Sequence, residues 1–484
     1  KMKVLYVAAE CKPFSKVGGV GDVAGELPPA LKKEGLDIEI LTPMYSTIPE
    51  KYLPKKTIDY MINWEDRQES VQVYESELEG VPVHFLGNDT YFSGDYGSPY
   101  INSPKIPFYD DALRFLFFSK AAVHFIKTQD YDIIHINDWP FGFLFGYMEM
   151  KNLPQKKVLT IHNMNYQGNI GKDVIADWDL TDFYQHPKVS RFFRDPNEDW
   201  NSINPMRLAI ELADRVNTVS PTYAREIILQ EDPARKFSGG KQLYQIAARL
   251  FKQDRLSGIL NGYNYTSTTT DAAFKSKLRV KAESREKLSG FFADPGNVIF
   301  GFVGRAVEQK LGLLPEPLNK KPLIEHLLDV PGVNVAMVTS GLAEYEQKLS
   351  VYSKRDNFLL KLAYDQNLGE LVNMGSDYFL MPSLFEPCGI TQLEAMQNAT
   401  PPIVHWTGGL ADTVTAHTKP DGTGIGFSGG NVQKILKNFL SAVKTGIEIY
   451  RKSPEKYRQL QQNGFRTRFT WQTAAKTYIH TLYS

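Results

Sequence analysis

Pro382-Ser383-Leu384-Phe385-Glu386-Pro387-Cys388-Gly389-Ile390-Thr391-Gln392-Leu393-Glu394-Ala395-Met396 decides how this chain is read. The four residues before it, Tyr378 to Met381, form a short apolar run that reads as a buried strand. A loop containing Pro and Gly follows, and then an apolar stripe with helical spacing. A carboxylate, Glu386, therefore falls where a strand ends and a helix begins. In open α/β sheets ligands bind at that edge, and the N–H groups of the helix start face an anion.

Working outward, apolar runs alternate with helical patterns through the first half: Val4–Ala8, Ile38–Leu41, Val83–Leu86, Ile133–Ile136, Val158–Ile161 and Val216–Val219. A second series runs through Val298–Val303, Val333–Val338, Tyr378–Met381 and Pro402–Val404. Such spacing predicts βαβ units and mainly parallel sheets. Between the series lies the polar segment Asn261-Gly262-Tyr263-Asn264-Tyr265 with a Thr/Ser run after it. The expected architecture is α/β, with two doubly wound, Rossmann-like domains facing a central cleft. The first spans 1–262 and the second 263–468. A helical stretch over 469–484 is expected to pack back on the first domain.

The chain has 484 residues, too many for one ordinary core, so two large domains are the natural division. It carries 55 basic and 55 acidic residues, a balance that provides no bulk field for nucleic acid or an anionic membrane. Phosphate binding must then be local. The longest apolar runs are of strand length, too short to span a bilayer. Two distant cysteines, Cys11 and Cys388, argue for a reducing compartment. Lys1-Met2-Lys3 runs straight into an apolar strand with no signal-peptide pattern, and a removed transit peptide stays open.

Five further loops carry the chemistry. Phe14 to Gly25 follows the first strand and opens a helix; Lys16 reaches over it as a point charge for a phosphate, and Gly18 and Gly19 let a ligand touch the backbone. Its glycine spacing is not the dinucleotide fingerprint. Standing alone, the loop also reads as a tight turn with a solvated lysine. Asp138 and His162-Asn163 each lie just past a strand end, and such groups suit sugar hydroxyls, which need donors and acceptors. Taken singly, His162 reads first as a hydrogen-bonded structural histidine. Arg305 and Lys310 offer two cations five residues apart after another strand, suited to the charge developing on a diphosphate leaving group. Either one alone reads as part of a solvated loop. Thr407-Gly408-Gly409 opens a further strand-to-helix loop, and Glu394, two helical turns from Glu386, reads as cleft-facing or as an exposed helix residue. No Walker lysine, zinc helix or cysteine pair is present. Asp130-Tyr131-Asp132 has the form of a metal-binding DxD but abuts a strand start, and no metal site is expected.

Taken together, these segments resemble the bacterial glycogen synthase and plant-type starch synthase family, retaining glycosyltransferases of the GT-B fold. The motifs occur in the family's order over nearly the whole chain. They include Lys16-x-Gly18-Gly19, Asp138-Trp139, Thr160-Ile161-His162-Asn163, Ala213-Asp214, Thr218-Val219-Ser220-Pro221-Thr222-Tyr223-Ala224 and Gly258 to Gly262. The Gly304-Arg305 to Lys310 loop, the Glu386 stretch and Gly408 to Thr413 complete the set. The resemblance implies transfer of glucose from ADP-glucose, or UDP-glucose, to the non-reducing end of an α-1,4-glucan, with retention and without a metal or other cofactor. The implied partners are the glucan acceptor and the nucleotide sugar, with no nucleic acid and no membrane. The setting is the cytoplasm of a bacterium, or a plastid stroma or starch granule if a transit peptide was removed.

By position, the resemblance gives Lys16 to the donor's phosphate or sugar region, Arg305 and Lys310 to the diphosphate, and Glu386 to the glucose, where it supports oxocarbenium-like charge or orients the sugar. Cys388, Gly389, Ile390, Thr391 and Glu394 fall on the nucleotide-sugar side, with Tyr364 to stack on the base. Asp138, His162, Asn163, Asn261, Gly408 and Gly409 fall on the glucose and acceptor side, with Asp22 supporting the first loop. Retention in this family type needs no protein nucleophile, because the departing phosphate helps the acceptor attack the same face. Departures from the family pattern are Pro140-Phe141 after Asp138-Trp139, Tyr263-Asn264 after Asn261-Gly262, and Leu311 in place of a glycine after Lys310. A shortened Thr339-Ser340-Gly341-Leu342 turn and His405-Trp406 before Thr407 also depart from it. Two readings stand behind the synthase: a catalytically weak glucan-binding scaffold or primer homologue, and a phosphorylase or epimerase on the same fold. A glycogen-type phosphorylase would need a pyridoxal-phosphate lysine context that is not found.

Overall fold

Mainly apolar runs become the central strands of two sheets. The computed structural model describes residues 2–101 and 106–484. The first sheet is built from β1 (Lys3–Val7), β2 (Asp37–Pro43), β3 (Lys55–Trp64), β4 (Arg67–Leu78), β5 (Val81–Gly87), β6 (Ile133–Asn137), β7 (Lys156–Ile161), β8 (Arg215–Thr218) and β9 (Leu256–Gly258). Their order across the sheet is β9-β8-β7-β6-β1-β2-β5-β4-β3. All neighbours from β9 to β5 run parallel, whereas β4 pairs antiparallel with both β5 and β3.

The second sheet holds β10 (Val298–Ala306), β11 (Val333–Gly341), β12 (Phe358–Lys361), β13 (Tyr378–Met381), β14 (Pro402–His405) and β15 (Ile425–Phe427), in the order β12-β11-β10-β13-β14-β15 and all parallel. The mixed α/β architecture is therefore two doubly wound domains. The β3–β4 hairpin is an addition to the expected pattern. Its residues alternate polar with apolar at an exposed sheet edge, so no continuous apolar run marks it.

Five helices position the site: α1 (Gly19–Lys33), α2 (Pro221–Glu226), α3 (Thr391–Gln397), α4 (Gly408–Thr413) and α5 (Trp471–Tyr478). Two connections run side by side between the domains. Tyr263 N–H donates to the Phe469 carbonyl at 2.8 Å, and Phe469 N–H to the Tyr265 hydroxyl at 2.9 Å. The chain end then joins the first core, where Trp471, Tyr478, Leu482 and Tyr483 are buried. The Trp471 indole N–H donates to Glu26 on α1 at 2.5 Å, and the Tyr483 hydroxyl lies 2.5 Å from Nδ1 of His135. Cys11 and Cys388 are free and buried.

Trp471 is 6% exposed, so Trp471→Ala is expected to cost the first domain about 3–5 kcal/mol. Thermal denaturation checks this, and an unshifted unfolding transition would show that the C-terminal segment adds little to that core.

Candidate functional site

The carboxyl ends of the parallel strands in both sheets open on one cleft of about 770 Å³. From the first domain and its linker it is lined by Lys16, Gly18, Gly19, Asp22, Asp138, His162, Asn163 and Asn261. Across from them stand Arg305, Lys310, Glu386, Cys388, Gly389, Ile390 and Thr391. Four residues singled out in the sequence do not line it. Tyr364 is 85% exposed in the loop after β12, and Glu394 is half-buried, accepting from Asn373 at 3.2 Å. Gly408 and Gly409 sit behind the cleft wall, packed on the backbone of Glu386 and Cys388.

Among the described residues three cations line the cleft, in three different states. Lys310, in the short helical turn Glu308–Leu311 after β10, pairs with the carboxylate of Glu386, in the loop after β13; β10 and β13 are neighbours, so the segments that follow them meet. Ser383 donates its hydroxyl to the same carboxylate oxygen at 3.1 Å. Lys16 bridges to Asp22 at 2.7 Å with nearly half of its side chain in solvent. The side chain of Arg305, exposed at the end of β10, has no hydrogen-bonding or ionic partner among the described residues. Its guanidinium offers a two-pronged donor fork to a phosphate. The N–H groups of Gly389 and Ile390, just before α3, also donate to no protein group among the described residues.

On the opposite wall, Asp138 has a left-handed backbone, φ 59°, a conformation costing about 1–3 kcal/mol for a residue with a side chain. That turn lets its carboxylate accept the His162 N–H at 2.7 Å. Burial raises the Asp138 carboxyl to about 7, against the lowering effect of the His162 and Asn163 N–H groups; the nearby Glu10 charge adds to the rise. Burial lowers His162 to about 4, so its ring is neutral near pH 7. Asn137 donates its amide to the Val7 carbonyl, which leaves its Oδ1 as an acceptor for the His162 Nε2–H at 2.8 Å. Nδ1 of His162 thus carries no proton and accepts. The buried Oδ1 of Asn261 has no partner among the described residues, a second acceptor suited to a ligand hydroxyl.

Glu10 was not singled out from the sequence, although it lines the cleft. It is fully buried, and its carboxylate accepts the N–H groups of Val17 and Gly18, fixing the Lys16 loop from beneath. Burial raises its carboxyl, against those same N–H groups. The signal was present as a lone carboxylate directly after an apolar strand. Asp111, Tyr100 and Tyr166 also reach the cleft from segments with no motif. The Asp130–Asp132 pattern lies elsewhere: Asp132 accepts the Lys3 N–H at 2.7 Å, where β1 starts.

Residues 3–245 match the family model for the starch synthase catalytic domain, and residues 315–466 that for glycosyl transferases group 1. The chain belongs to the glycogen and starch synthase family. Glycogen synthase from Clostridioides difficile (strain 630) is 34% identical, with 99% of each chain covered. Glycogen synthase from Finegoldia magna is 33% identical over 99% of this chain and 98% of its own. Among solved structures, the catalytic domain of starch synthase IV from Arabidopsis thaliana, bound to ADP and acarbose, superposes with a TM-score of 0.79. It is 26% identical and the match covers 99% of this chain and 98% of that one. Sucrose-phosphate synthase from Thermosynechococcus elongatus, 17% identical with a TM-score of 0.57, shares the fold. The enzyme is a glycosyltransferase and a glucan synthase, and its fold is GT-B.

The pKa of Asp138 has a consequence for stability. A carboxyl raised by folding contributes stability that is complete below its ordinary value and is lost as pH rises through the folded value. The enzyme therefore loses that contribution between about pH 4 and pH 7. Asp138→Asn is expected to flatten the fall of Tm over this range, and an unchanged Tm–pH slope would assign the fall to other groups.

Proposed function

We propose that the enzyme transfers glucose from ADP-glucose to the non-reducing end of an α-1,4-glucan with retention. The observation that carries this reading is the meeting, across one cleft, of Lys16 from one domain with Arg305 and the Lys310–Glu386 pair from the other. Arg305 and Lys16 take the diphosphate, whose negative charge grows as the bond from glucose C1 to the phosphate oxygen breaks. The N–H groups of Gly389 and Ile390 add donors on the same side. Glu386, held by Lys310 and Ser383, lies beside the sugar ring and supports its developing positive charge.

His162 Nδ1 and Asn261 Oδ1 accept hydroxyl protons of glucose, and Asp138 borders the acceptor side. The acceptor 4-hydroxyl bonds to C1 on the face that the phosphate leaves, and its proton passes to the departing phosphate oxygen. In this reading the protein's own cations neutralise the diphosphate, and no metal or other cofactor takes part. ADP and acarbose, a nucleotide and an oligosaccharide analogue bound by the Arabidopsis relative, support both substrate classes and favour adenine. Bacterial relatives support a cytoplasmic setting.

The test is nucleotide release from ADP-glucose and, separately, UDP-glucose, with and without maltooligosaccharide. Acceptor-dependent ADP release with chain elongation is expected, and release only from UDP-glucose would overturn the donor assignment. Glu386→Ala is expected to lower kcat by roughly 10²-fold while ADP affinity changes little. Loss confined to ADP binding would remove Glu386 from its role. Lys16→Ala is expected to raise KM for the donor by about tenfold or more, in line with one lost charge-assisted phosphate contact. An unchanged KM would take Lys16 out of the donor site.

A further inference from the structure

The two short helices that meet at the domain boundary, α2 from the first domain and α4 from the second, are each capped by the other. Thr407, at the start of α4, does not cap its own helix. Its hydroxyl instead donates to Glu226 of α2 at 2.9 Å, and the Gly408 N–H donates to the same carboxylate at 2.8 Å. In return, Asp412 of α4 accepts the Thr222 N–H at 2.8 Å and the Thr222 hydroxyl at 2.6 Å, in the first turn of α2. Ser220, the residue before α2, accepts the Tyr223 N–H at 3.1 Å and donates its hydroxyl to the Pro387 carbonyl at 2.5 Å.

These contacts end on the main chain of Glu386. The Gly409 N–H donates to the Glu386 carbonyl at 2.9 Å. Gly408 has φ +44°, and a Cβ there would lie 1.8 Å from that same carbonyl oxygen. The backbone at Glu386 is thus fixed from behind by a glycine turn. That turn is itself held by a carboxylate of the opposite domain, and Pro387 is held by Ser220. Burial raises the Glu226 carboxyl, as for a carboxylate enclosed between two domains, while the Gly408 N–H acts against the rise.

We propose that Glu226, with Asp412 and Ser220, is a positioning residue for Glu386, seating the carboxylate-bearing loop of the second domain from the first. None of the three lines the cleft, so each acts through the α4 turn or Pro387 and not on the sugar. The proposal rests on the reading of Glu386 given above. It adds that the enzyme's turnover depends on a contact crossing the domain boundary behind the site. A small displacement of a group at the reacting centre is enough to cost rate without costing binding.

The experiment compares Glu226→Ala, Glu226→Gln, Asp412→Asn and Glu386→Gln in the full chain, measuring kcat, KM for ADP-glucose and the Kd of ADP. Glu226→Ala is expected to lower kcat by about tenfold or more with less than about a threefold change in ADP Kd. Glu226→Gln keeps the shape and one acceptor oxygen for the Gly408 N–H, and it is expected to recover most of that loss. Loss of kcat in Glu386→Gln with full kcat in both Glu226→Ala and Asp412→Asn would overturn the positioning role and leave the role of Glu386 standing. Full kcat in Glu386→Gln would overturn the role of Glu386 itself. ADP affinity falling in step with kcat in Glu226→Gln, which preserves the fold's packing, would assign Glu226 to general domain docking and also overturn the proposal.

Discussion

The ion pair between Lys310 and Glu386 depends on strand order more than on either residue. β10 and β13 lie side by side and run the same way, so the loops that leave them must start at the same edge, a few ångströms apart. A lysine on one loop and a glutamate on the other are then brought together although 76 residues separate them. Both side chains are largely withdrawn from water, 20% and 6% exposed, and removing one partner would leave an uncompensated charge. The second domain therefore presents a carboxylate whose direction is set by a cation and by Ser383 before any substrate arrives.

The strands forming the centre of each sheet were legible because they are continuous apolar runs, and Tyr378–Met381 matches its expected bounds to the residue. The β3–β4 hairpin was not, because Lys55, Lys56, Asp59 and Asn63 interrupt it on an exposed edge. For the site, short strand-to-helix motifs placed fifteen of the chosen residues on the cleft. Sequence alone could not say that Lys310 would face Glu386 and not stand free, since that needs the strand order. Glu10 is marked in the sequence only as a lone carboxylate after an apolar strand, and its role appears once the glycine loop folds back over it. Tyr364 shows the opposite limit: an aromatic in a promising loop whose ring lies in solvent.

The departures from the family pattern are accommodated locally. Leu311, where the resemblance leads one to expect glycine, is buried in the second core. The glycine requirement moves one residue on: a Cβ at Gly312 would lie 2.5 Å from the Glu308 carbonyl and 2.6 Å from Leu384. The single helical turn Glu308–Leu311 carries Lys310 toward Glu386 despite the altered spacing. Similarly, His405 is buried, its Nδ1 lies 2.7 Å from the Ser383 carbonyl, and its ring stacks on Phe427. It braces the strand end from which Ser383 reaches Glu386.

The cations of the cleft divide their work by how deeply each is paired. Lys16 and Asp22 form a partly solvated bridge, the kind worth roughly 0–1 kcal/mol, so exchanging Asp22 for a phosphate costs little. Arg305 needs no exchange at all. Breaking the buried Lys310–Glu386 pair would cost several times more, about 3–5 kcal/mol if one charge were left alone. In the proposed reading, an arriving diphosphate is captured first by Arg305 and Lys16, from opposite walls, and the domains close over it. On the same reading Lys310 stays with Glu386, so the carboxylate proposed to face the sugar keeps its own counterion. The proposed chemistry thus places a diphosphate leaving group and an anionic carboxylate close together, each with its own counterion.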